Sequence, residues 1–185
     1  MTADERAEIF RTMLRTRTAI DRMRQVGGPG VYAIFLEKDA SVPGIAPGTD
    51  GLIYFAGVES LPEQIADLDF KTGKTGFSTL RQRLGALLKN EMGLKAIPRG
   101  NAIKDRDPHF FKFHPGDEGR LTQWMMKSLR IGVAAGSDLP DEEKAFSAQF
   151  KPALNTDTWK NPAGAKIEKL VEGCRAEAVK NGSPA

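Results

Sequence analysis

Two tyrosines, one arginine and one glutamate are of residue types that could take part in phosphodiester hydrolysis. They are Tyr32, Tyr54, Arg83 and Glu143. The reaction needs an activated water, a cation that neutralises developing charge and a rigid positioning group. A tyrosine with its ordinary pKa of about 10 is a poor base at neutral pH. A neighbouring arginine and a divalent ion would favour its phenolate, because opposite charge stabilises the charged form.

Each of the four residues falls in a segment whose pattern predicts a regular element. Residues 31–36 and 52–56 are rich in β-branched and aromatic side chains, which predicts two strands, paired antiparallel across the loop between them. A helix is predicted from Ser78 to a cap at Gly93, with Arg81 and Lys89 opposite its apolar face. Residues 140–150 predict another helix, whose acidic first turn suits the helix dipole.

The remaining segments supply further helices and a third strand. Apolar spacing predicts an amphipathic helix over about residues 3–25, which the glycines after it end. Residues 59–75 are expected to be mobile, and residues 109–113 to form a third strand. Further helices are predicted over residues 119–129 and 165–179, with a frayed tail after the last one.

The composition excludes several classes of protein and favours a single cytoplasmic domain. The chain has 185 residues, 27 basic and 24 acidic, and a net charge of +3. Collagen-like and disulfide-rich scaffolds are excluded, and one cysteine argues against structural zinc. No apolar run is long enough to span a membrane. The charge is uneven, because nine basic and two acidic residues lie between Lys71 and Arg106.

Four short motifs occur in an order that is similar to the GIY-YIG nuclease superfamily. They are Gly30-Val31-Tyr32, Tyr54-Phe55-Ala56-Gly57, the arginine motif Leu80-Arg81-Gln82-Arg83-Leu84, and Glu143 followed by Lys151-Pro152-Ala153-Leu154-Asn155. Residues 73–88 resemble the middle part of stand-alone bacterial members. The resemblance implies an α+β fold, with a small, mainly antiparallel three-stranded sheet flanked by helices and extra helices at both ends.

The resemblance also assigns a role to each matching residue. Tyr32 would help to bind and deprotonate the attacking water, and Tyr54 matches the second tyrosine of the family. Arg83 would contact the scissile phosphate, and Glu143 would hold a single Mg²⁺ or Mn²⁺ whose other ligands are largely water. Asn155 would have a structural role.

The implied function is a metal-dependent endonuclease that hydrolyses DNA. The basic segment would follow the phosphate backbone through Lys71, Lys74, Arg81 and Lys89. The predicted organisation is an N-terminal helix over residues 1–27, a nuclease domain over 28–161, and a C-terminal helix and tail over 162–185.

Three residues depart from the family pattern and keep alternatives open. Either Tyr54 matches the second tyrosine and Ala56 replaces the glycine, or Phe55 replaces the tyrosine and Gly57 is retained. We prefer the first register. In both registers the basic residue expected after the glycine is missing, and Val58 stands near that position. Asp69 replaces a histidine and would repel DNA. A relative that binds nucleic acid or a protein without cutting is therefore a second hypothesis, and an unrelated α+β binding domain is a third.

Each candidate also has an interpretation without catalysis. The tyrosines could be ordinary strand residues, Arg83 a surface residue, and Glu143 a helix-dipole residue for which Glu142 competes. His109 and His114 could bind a metal, although ordinary histidines are more common, and Cys174 suits core packing. Residues 110–113 interleave aromatic and basic side chains, as single-strand binders do, or simply pack in the core.

Overall fold

The computed structural model describes residues 1–23, 26–100 and 107–182, with only the backbone described for Pro108 and His109. These residues form two antiparallel sheets and five α-helices. The helices are α1 (Ala3–Thr16), α2 (Thr79–Met92), α3 (Pro115–Ser128), α4 (Glu143–Phe150) and α5 (Gly164–Gly182). The strands are β1 (Thr18–Ala19), β2 (Gly30–Leu36), β3 (Leu52–Val58), β4 (Ala96–Arg99), β5 (Asp107–Phe113) and β6 (Leu129–Ala135).

The larger sheet has four strands in the order β1, β6, β2, β3, and every neighbouring pair is antiparallel. The predicted pairing of residues 31–36 with 52–56 is therefore confirmed, as is the α+β class. The number of strands differs from the expected three, because β1 and β6 extend the sheet on one side of β2. The candidate tyrosines lie on β2 and β3, the two strands at the other end.

The predicted third strand does not belong to this sheet. Residues 109–113 lie in β5, which pairs with β4 in a separate hairpin. The strand that pairs with the other side of β2 is β6. The sequence pattern did not predict β6, because this strand follows α3 directly and contains Gly132. A Cβ at Gly132 would lie 2.5 Å from the Met13 carbonyl oxygen, so the glycine lets α1 cross the strand closely.

Successive residues of β2 enter two different cores, as the alternation of a strand requires. Val31, Ala33 and Phe35 pack with α1 and α4 on one face of the sheet. Tyr32 and Ile34 face the other side, where they pack with α2, α3 and α5. The side chains of Tyr32 and Tyr54 thus point toward α2.

The first helix ends at Thr16, and the prediction that it continues to residue 25 is wrong. Phe10 and Met13 are buried on one face of the sheet, whereas Ile20 and Met23 pack against the core of the other face. One straight helix cannot contact both faces. The chain leaves the helix at Arg17 and joins the sheet edge as β1 before turning.

The helix predicted from Ser78 is confirmed together with both of its caps. The Ser78 hydroxyl accepts a hydrogen bond from the Arg81 amide, and Gly93 ends the helix with a left-handed backbone. The preceding stretch, expected to be mobile, is instead packed. It contains a π-helical turn, Glu63–Asp69, whose Ile65 and Asp69 are buried.

The helix predicted over residues 140–150 is observed as a 3₁₀ turn, Pro140–Glu142, continued by α4. The last helix, α5, extends a few residues beyond its predicted bounds and packs on α2 and the β4–β5 hairpin. Cys174 is buried within this contact, as expected. None of the helices in the described part of the chain is long and apolar enough to cross a membrane.

Candidate active site

The two tyrosines lie side by side on the face of the sheet that meets α2. Tyr32 is opposite Ala56, and Tyr54 lies two residues before Ala56 on β3, which makes the tyrosines diagonal neighbours. Their ring centroids are 6.0 Å apart. Phe55 points to the opposite face and stacks on Phe146 at 4.7 Å. The structure therefore favours the register in which Tyr54, not Phe55, is the second tyrosine.

Asp69 forms the inner end of a buried hydrogen-bond network with Tyr32. The Tyr32 hydroxyl donates to Oδ2 of Asp69 at 2.5 Å, and the Ser78 hydroxyl donates to Oδ1 at 2.5 Å. The Gln64 amide donates to Oδ1 at 3.2 Å. Because Asp69 is fully buried, the expectation that its charge would repel DNA directly is wrong. The carboxylate orients a tyrosine instead.

Burial raises the pKa of both tyrosines above the ordinary value. For Tyr32, desolvation is the main cause, and the charge of Asp69 adds to it. The pKa of Tyr54 rises for the same two reasons, while the charge of Arg83 and a hydrogen bond with Tyr32 oppose the rise. Arg83 thus has the expected effect, but burial outweighs it. Both residues are neutral phenols at neutral pH in the protein alone.

Glu143 is held at the start of α4 by the backbone of β3. Its Oε2 accepts a hydrogen bond from the Gly57 amide at 3.1 Å. A Cβ at Gly57 would lie 2.4 Å from the Pro140 carbonyl oxygen, so glycine permits this close approach. The competing Glu142 instead pairs with Arg6 and the terminal amine of Met1. The geometry selects Glu143 as the carboxylate beside the tyrosines.

The charge around Glu143 is not fully balanced. Burial raises the pKa of its carboxyl group, the Gly57 hydrogen bond opposes this rise, and the negative charge of Asp157 adds to it. Arg83 opposes the rise as well. Glu143, Asp157 and Arg83 therefore lie close enough to influence one another, although they come from three separate segments.

The side chain of Arg83 extends from α2 toward Asp157 and remains partly accessible to solvent. Its Nη1 donates to the Leu154 carbonyl at 3.1 Å, and its Nη2 lies 3.2 Å from Glu168 and 3.6 Å from Asp157. The side chain is 11% exposed, whereas those of Asp157 and Glu168 are 74% and 47% exposed. Arg83 lines two neighbouring pockets, of about 370 and 560 Å³. An anionic ligand could reach this guanidinium.

Arg81 does not lie on the surface, and its assignment as a nucleic-acid contact is wrong. The guanidinium is fully buried between α2 and α3, where it pairs with Glu118 at 2.6 Å. It also donates to the hydroxyls of Thr75 and Thr122. Sequence spacing placed Arg81 opposite the apolar stripe of α2, but α3 covers that side of the helix. Its partner Glu118 was not among the predicted functional residues.

The other basic residues are divided among different surroundings. Lys71 is exposed and contacts Asp67, whereas Lys89 pairs with Glu177 of α5 at 2.7 Å. Lys74 lies over the ring of Phe77. Contacts of these three lysines with nucleic acid remain a prediction. Lys104 and Arg106, which contribute to the basic segment, lie outside the described residues.

Asn155 ties the segment after α4 to the edge of β3. Its Oδ1 accepts from the Phe55 amide at 3.0 Å, and its Nδ2 donates to the Phe55 carbonyl at 2.7 Å. The Leu154 amide adds a bond to the Ile53 carbonyl at 2.7 Å. Because the Leu154 carbonyl accepts a hydrogen bond from Arg83, this segment connects the arginine to the strand that carries Tyr54.

The described residues contain no group of three or more His, Cys, Asp or Glu arranged to hold a metal. His114 is exposed just before α3, and the side chain of His109 lies outside the described part. Glu143 remains as a candidate ligand, with Asp157 near enough to raise its pKa. A divalent ion would relieve this repulsion. Such a donor set suits a Mg²⁺ or Mn²⁺ ion that keeps most of its water.

The chain was compared with protein families, curated proteins and solved structures. A family model described as the GIY-YIG catalytic domain matches residues 30–177, which cover most of the chain and every candidate site residue. No curated protein and no solved structure matches.

Proposed function

Because the chain belongs to the GIY-YIG family, we propose that it is a metal-dependent endonuclease that hydrolyses phosphodiester bonds of DNA. The observation that carries the proposal is the meeting of Tyr54, Arg83 and Glu143. The charges of the other two act on Tyr54 although the three residues come from a strand and two helices. Nucleic acid as substrate follows from the family, whereas DNA, the metal and the mechanism are part of the proposal.

Arg83 is suited to hold the phosphate that is cleaved. A guanidinium binds two phosphate oxygens through its planar fork. The bond to the Leu154 carbonyl fixes the side chain, while the 3.6 Å contact with exposed Asp157 is weak. A phosphate can replace that carboxylate without disturbing the buried part of the arginine. The positive charge of Arg83 would then neutralise the negative charge that develops on the phosphate during the reaction.

Glu143 is the residue that would hold the divalent ion, with Asp157 as its neighbour. When bound, such an ion supplies a positive charge near the phosphate and makes a bound water more acidic. The Gly57 amide orients the carboxylate of Glu143. The burial of Glu143 makes its charge unfavourable without a cation, which favours binding of one.

The tyrosines form a path for the proton of the attacking water. Tyr32 is fully buried and cannot touch solvent, whereas Tyr54 is 8% exposed. In this proposal the water gives a proton to the Tyr54 hydroxyl, Tyr54 gives its proton to Tyr32, and Tyr32 gives its own to Asp69. The oxygen of the water attacks phosphorus, and the leaving oxygen takes a proton from solvent. No free phenolate is needed, in agreement with the raised pKa of both tyrosines.

A plasmid cleavage assay in Mg²⁺ or Mn²⁺ tests the proposed function. We expect nicking by the wild type and a loss of at least about 100-fold in Glu143→Gln, because the removed charge acts in the transition state. The matched control is Glu142→Gln, which changes the adjacent carboxylate but leaves the Gly57 contact intact. This control should cut within about twofold of the wild type. Equal loss in both variants, or in neither, would contradict the assignment of Glu143.

Binding without cleavage is a second candidate, favoured by the burial of both tyrosine side chains. A site with little exposed phenol surface offers attacking water few contacts. The same assay separates the two functions, since absence of nicking together with salt-sensitive binding would support the second one.

A further inference from the structure

Two exposed phenylalanines flank a single arginine at the edge of the described hairpin. Phe77 is 57% exposed and Phe110 is 37% exposed. The guanidinium carbon of Arg99 lies 4.8 Å from the ring centroid of Phe77 and 4.0 Å from that of Phe110. The Lys74 amine lies 5.4 Å from the Phe77 ring. We call Phe77, Arg99 and Phe110 the aromatic platform.

The platform is held in place by backbone and charge contacts. Arg99 donates to the Gly76 carbonyl at 3.1 Å and to Asp107 at 2.7 Å. Phe77 lies in a 3₁₀ turn, Thr75–Phe77, whose other two residues are buried. These contacts hold the aromatic platform in place, while the surfaces of both rings remain in contact with water.

The pocket beside the platform has the size and the charge to hold a nucleotide. Its volume of about 370 Å³ lies within the usual range for small-molecule sites, about 300–1,000 Å³. It is lined by three arginines, one glutamate, both phenylalanines and the polar side chains of Thr79 and Gln82; the arginines are Arg83, Arg99 and Arg175. Each arginine is paired with a carboxylate, and three of these four carboxylates, Asp157, Glu168 and Glu172, are exposed. A phosphate can compete with exposed carboxylates for the guanidinium groups.

Arg175 is the most exposed of the three arginines, with 33% of its side chain accessible. Its Nη1 donates to Glu172 at 3.1 Å, and that carboxylate is itself exposed. A ligand phosphate can compete with such an exposed partner. Together with the amide of Gln82 and the hydroxyl of Thr79, Arg175 offers the mixed donors and acceptors that the edge of a base or a sugar-phosphate requires.

We propose that the aromatic platform and its pocket bind an unpaired nucleotide of the substrate. Bases in a duplex are stacked on each other, and only an unpaired base can place its face on a protein ring. Exposed aromatic rings beside cationic side chains are the pattern by which proteins hold single-stranded nucleic acid. Because Arg83 lines both this pocket and the neighbouring one, the unpaired nucleotide lies next to the phosphate-binding arginine. This inference rests on the proposed function and specifies its substrate as DNA with a single-stranded part.

Binding of labelled oligonucleotides in EDTA tests this inference without cleavage. The probes are a fluorescein-labelled 12-nucleotide single strand of mixed sequence and the blunt duplex of the same length, and the readout is fluorescence anisotropy. We expect the single strand to bind at least about tenfold more tightly than the duplex. Phe77→Ala and Phe110→Ala should each weaken single-strand binding about 5- to 150-fold, the usual effect of losing one stacking contact. Duplex binding should stay within about twofold.

Three controls make the result specific to stacking. Phe77→Trp keeps a ring and should retain single-strand affinity, whereas Val179→Ala, which truncates another exposed apolar side chain, should change nothing. The dependence of affinity on salt should be the same in Phe77→Ala and the wild type, because no charge is removed. Thermal unfolding followed by circular dichroism should be unchanged, because both rings are exposed.

Several outcomes would overturn the inference. Equal binding of single strand and duplex would do so, as would phenylalanine variants that bind like the wild type, or an absence of binding to either probe. A wild type that sediments as a dimer and a Phe77→Ala variant that sediments as a monomer would identify the platform as a contact between copies instead. Cleavage of duplex plasmid with no single-strand preference would leave the proposed function intact. Single-strand preference without any cleavage would refute only the endonuclease.

Discussion

Arg81 and Arg83 are two residues apart on α2, yet one lies in the interior and the other at an open edge. Arg81 belongs to an interior cluster with Asp69, Thr75, Ser78 and Glu118, all of them buried. Its charge is met by a buried carboxylate at 2.6 Å. A site whose donors are already satisfied in this way has no capacity for a further ligand.

At the open edge, the partners of Arg83 are exposed carboxylates. Separating Asp157 and Glu168 from the arginine costs little free energy, because both carboxylates retain much of their hydration. A phosphate can therefore compete with them. The comparison shows that two arginines of one motif differ in function through what covers them, and α3 covers only Arg81.

The interior cluster should be the more sensitive of the two regions to loss of one charge. Glu118→Gln leaves the Arg81 guanidinium buried without its ion partner, and we expect it to lower the free energy of unfolding by about 3–5 kcal/mol. Urea denaturation measures this loss. The matched control is Asp67→Asn, which breaks the exposed pair with Lys71 and should cost less than about 1 kcal/mol. A loss below about 1 kcal/mol in Glu118→Gln would show that the buried pair does not hold α2 to α3.

The open edge should respond in activity rather than in stability. Arg83→Ala should lower cleavage by at least about 100-fold, because it removes a charge that acts on the transition state. The free energy of unfolding should fall by less than in Glu118→Gln, because the ion partners of Arg83 are exposed and can be solvated. Lys127→Met, which removes an exposed charge from α3, is the control and should leave cleavage unchanged. Wild-type cleavage by Arg83→Ala would remove this arginine from the site.

The order of motifs along the sequence predicted the candidate site residues, and their roles in a reaction stay a prediction. Tyr32, Tyr54, Arg83 and Glu143 come together because β2 and β3 pair antiparallel and because α2 and α4 pack on them. Local signals also predicted α2 with its caps at Ser78 and Gly93. The two caps depend on residues close in sequence, whereas the arrangement of the four site residues was predicted from the order of the family's motifs.

What the sequence did not predict depends on contacts between distant segments. The burial of Arg81 is caused by α3, which begins more than 30 residues later, and its partner Glu118 gave no local signal. Asp69 was predicted to repel DNA, because its role as a hydrogen-bond acceptor becomes visible only when Tyr32 lies beside it. β6 was missed because an apolar stretch following a helix has no turn residue to mark its start. Period and propensity carry no information about which faces will meet.

Asp69 joins the interior cluster to the tyrosines, and its charge can be tested through their titration. The chain contains only two tyrosines, so absorbance at 295 nm reports on Tyr32 and Tyr54 alone. The Asp69 charge raises the pKa of both phenols, so Asp69→Asn should move their ionisation to lower pH. Asp67→Asn, an exposed carboxylate two residues away, should leave the curve unchanged. An unmoved curve in Asp69→Asn would separate the carboxylate from the proton path.

The same shift predicts how stability depends on alkaline pH. Above pH about 10 the unfolded chain loses its tyrosine protons while the folded chain retains them, so folding stability falls as pH rises. Asp69→Asn brings the folded pKa values closer to the unfolded ones, and its stability should fall less steeply over this range. Urea unfolding of both proteins at several pH values measures the two slopes. Equal slopes would mean that desolvation, the main cause of each raised pKa, keeps the phenols protonated without a contribution from the Asp69 charge.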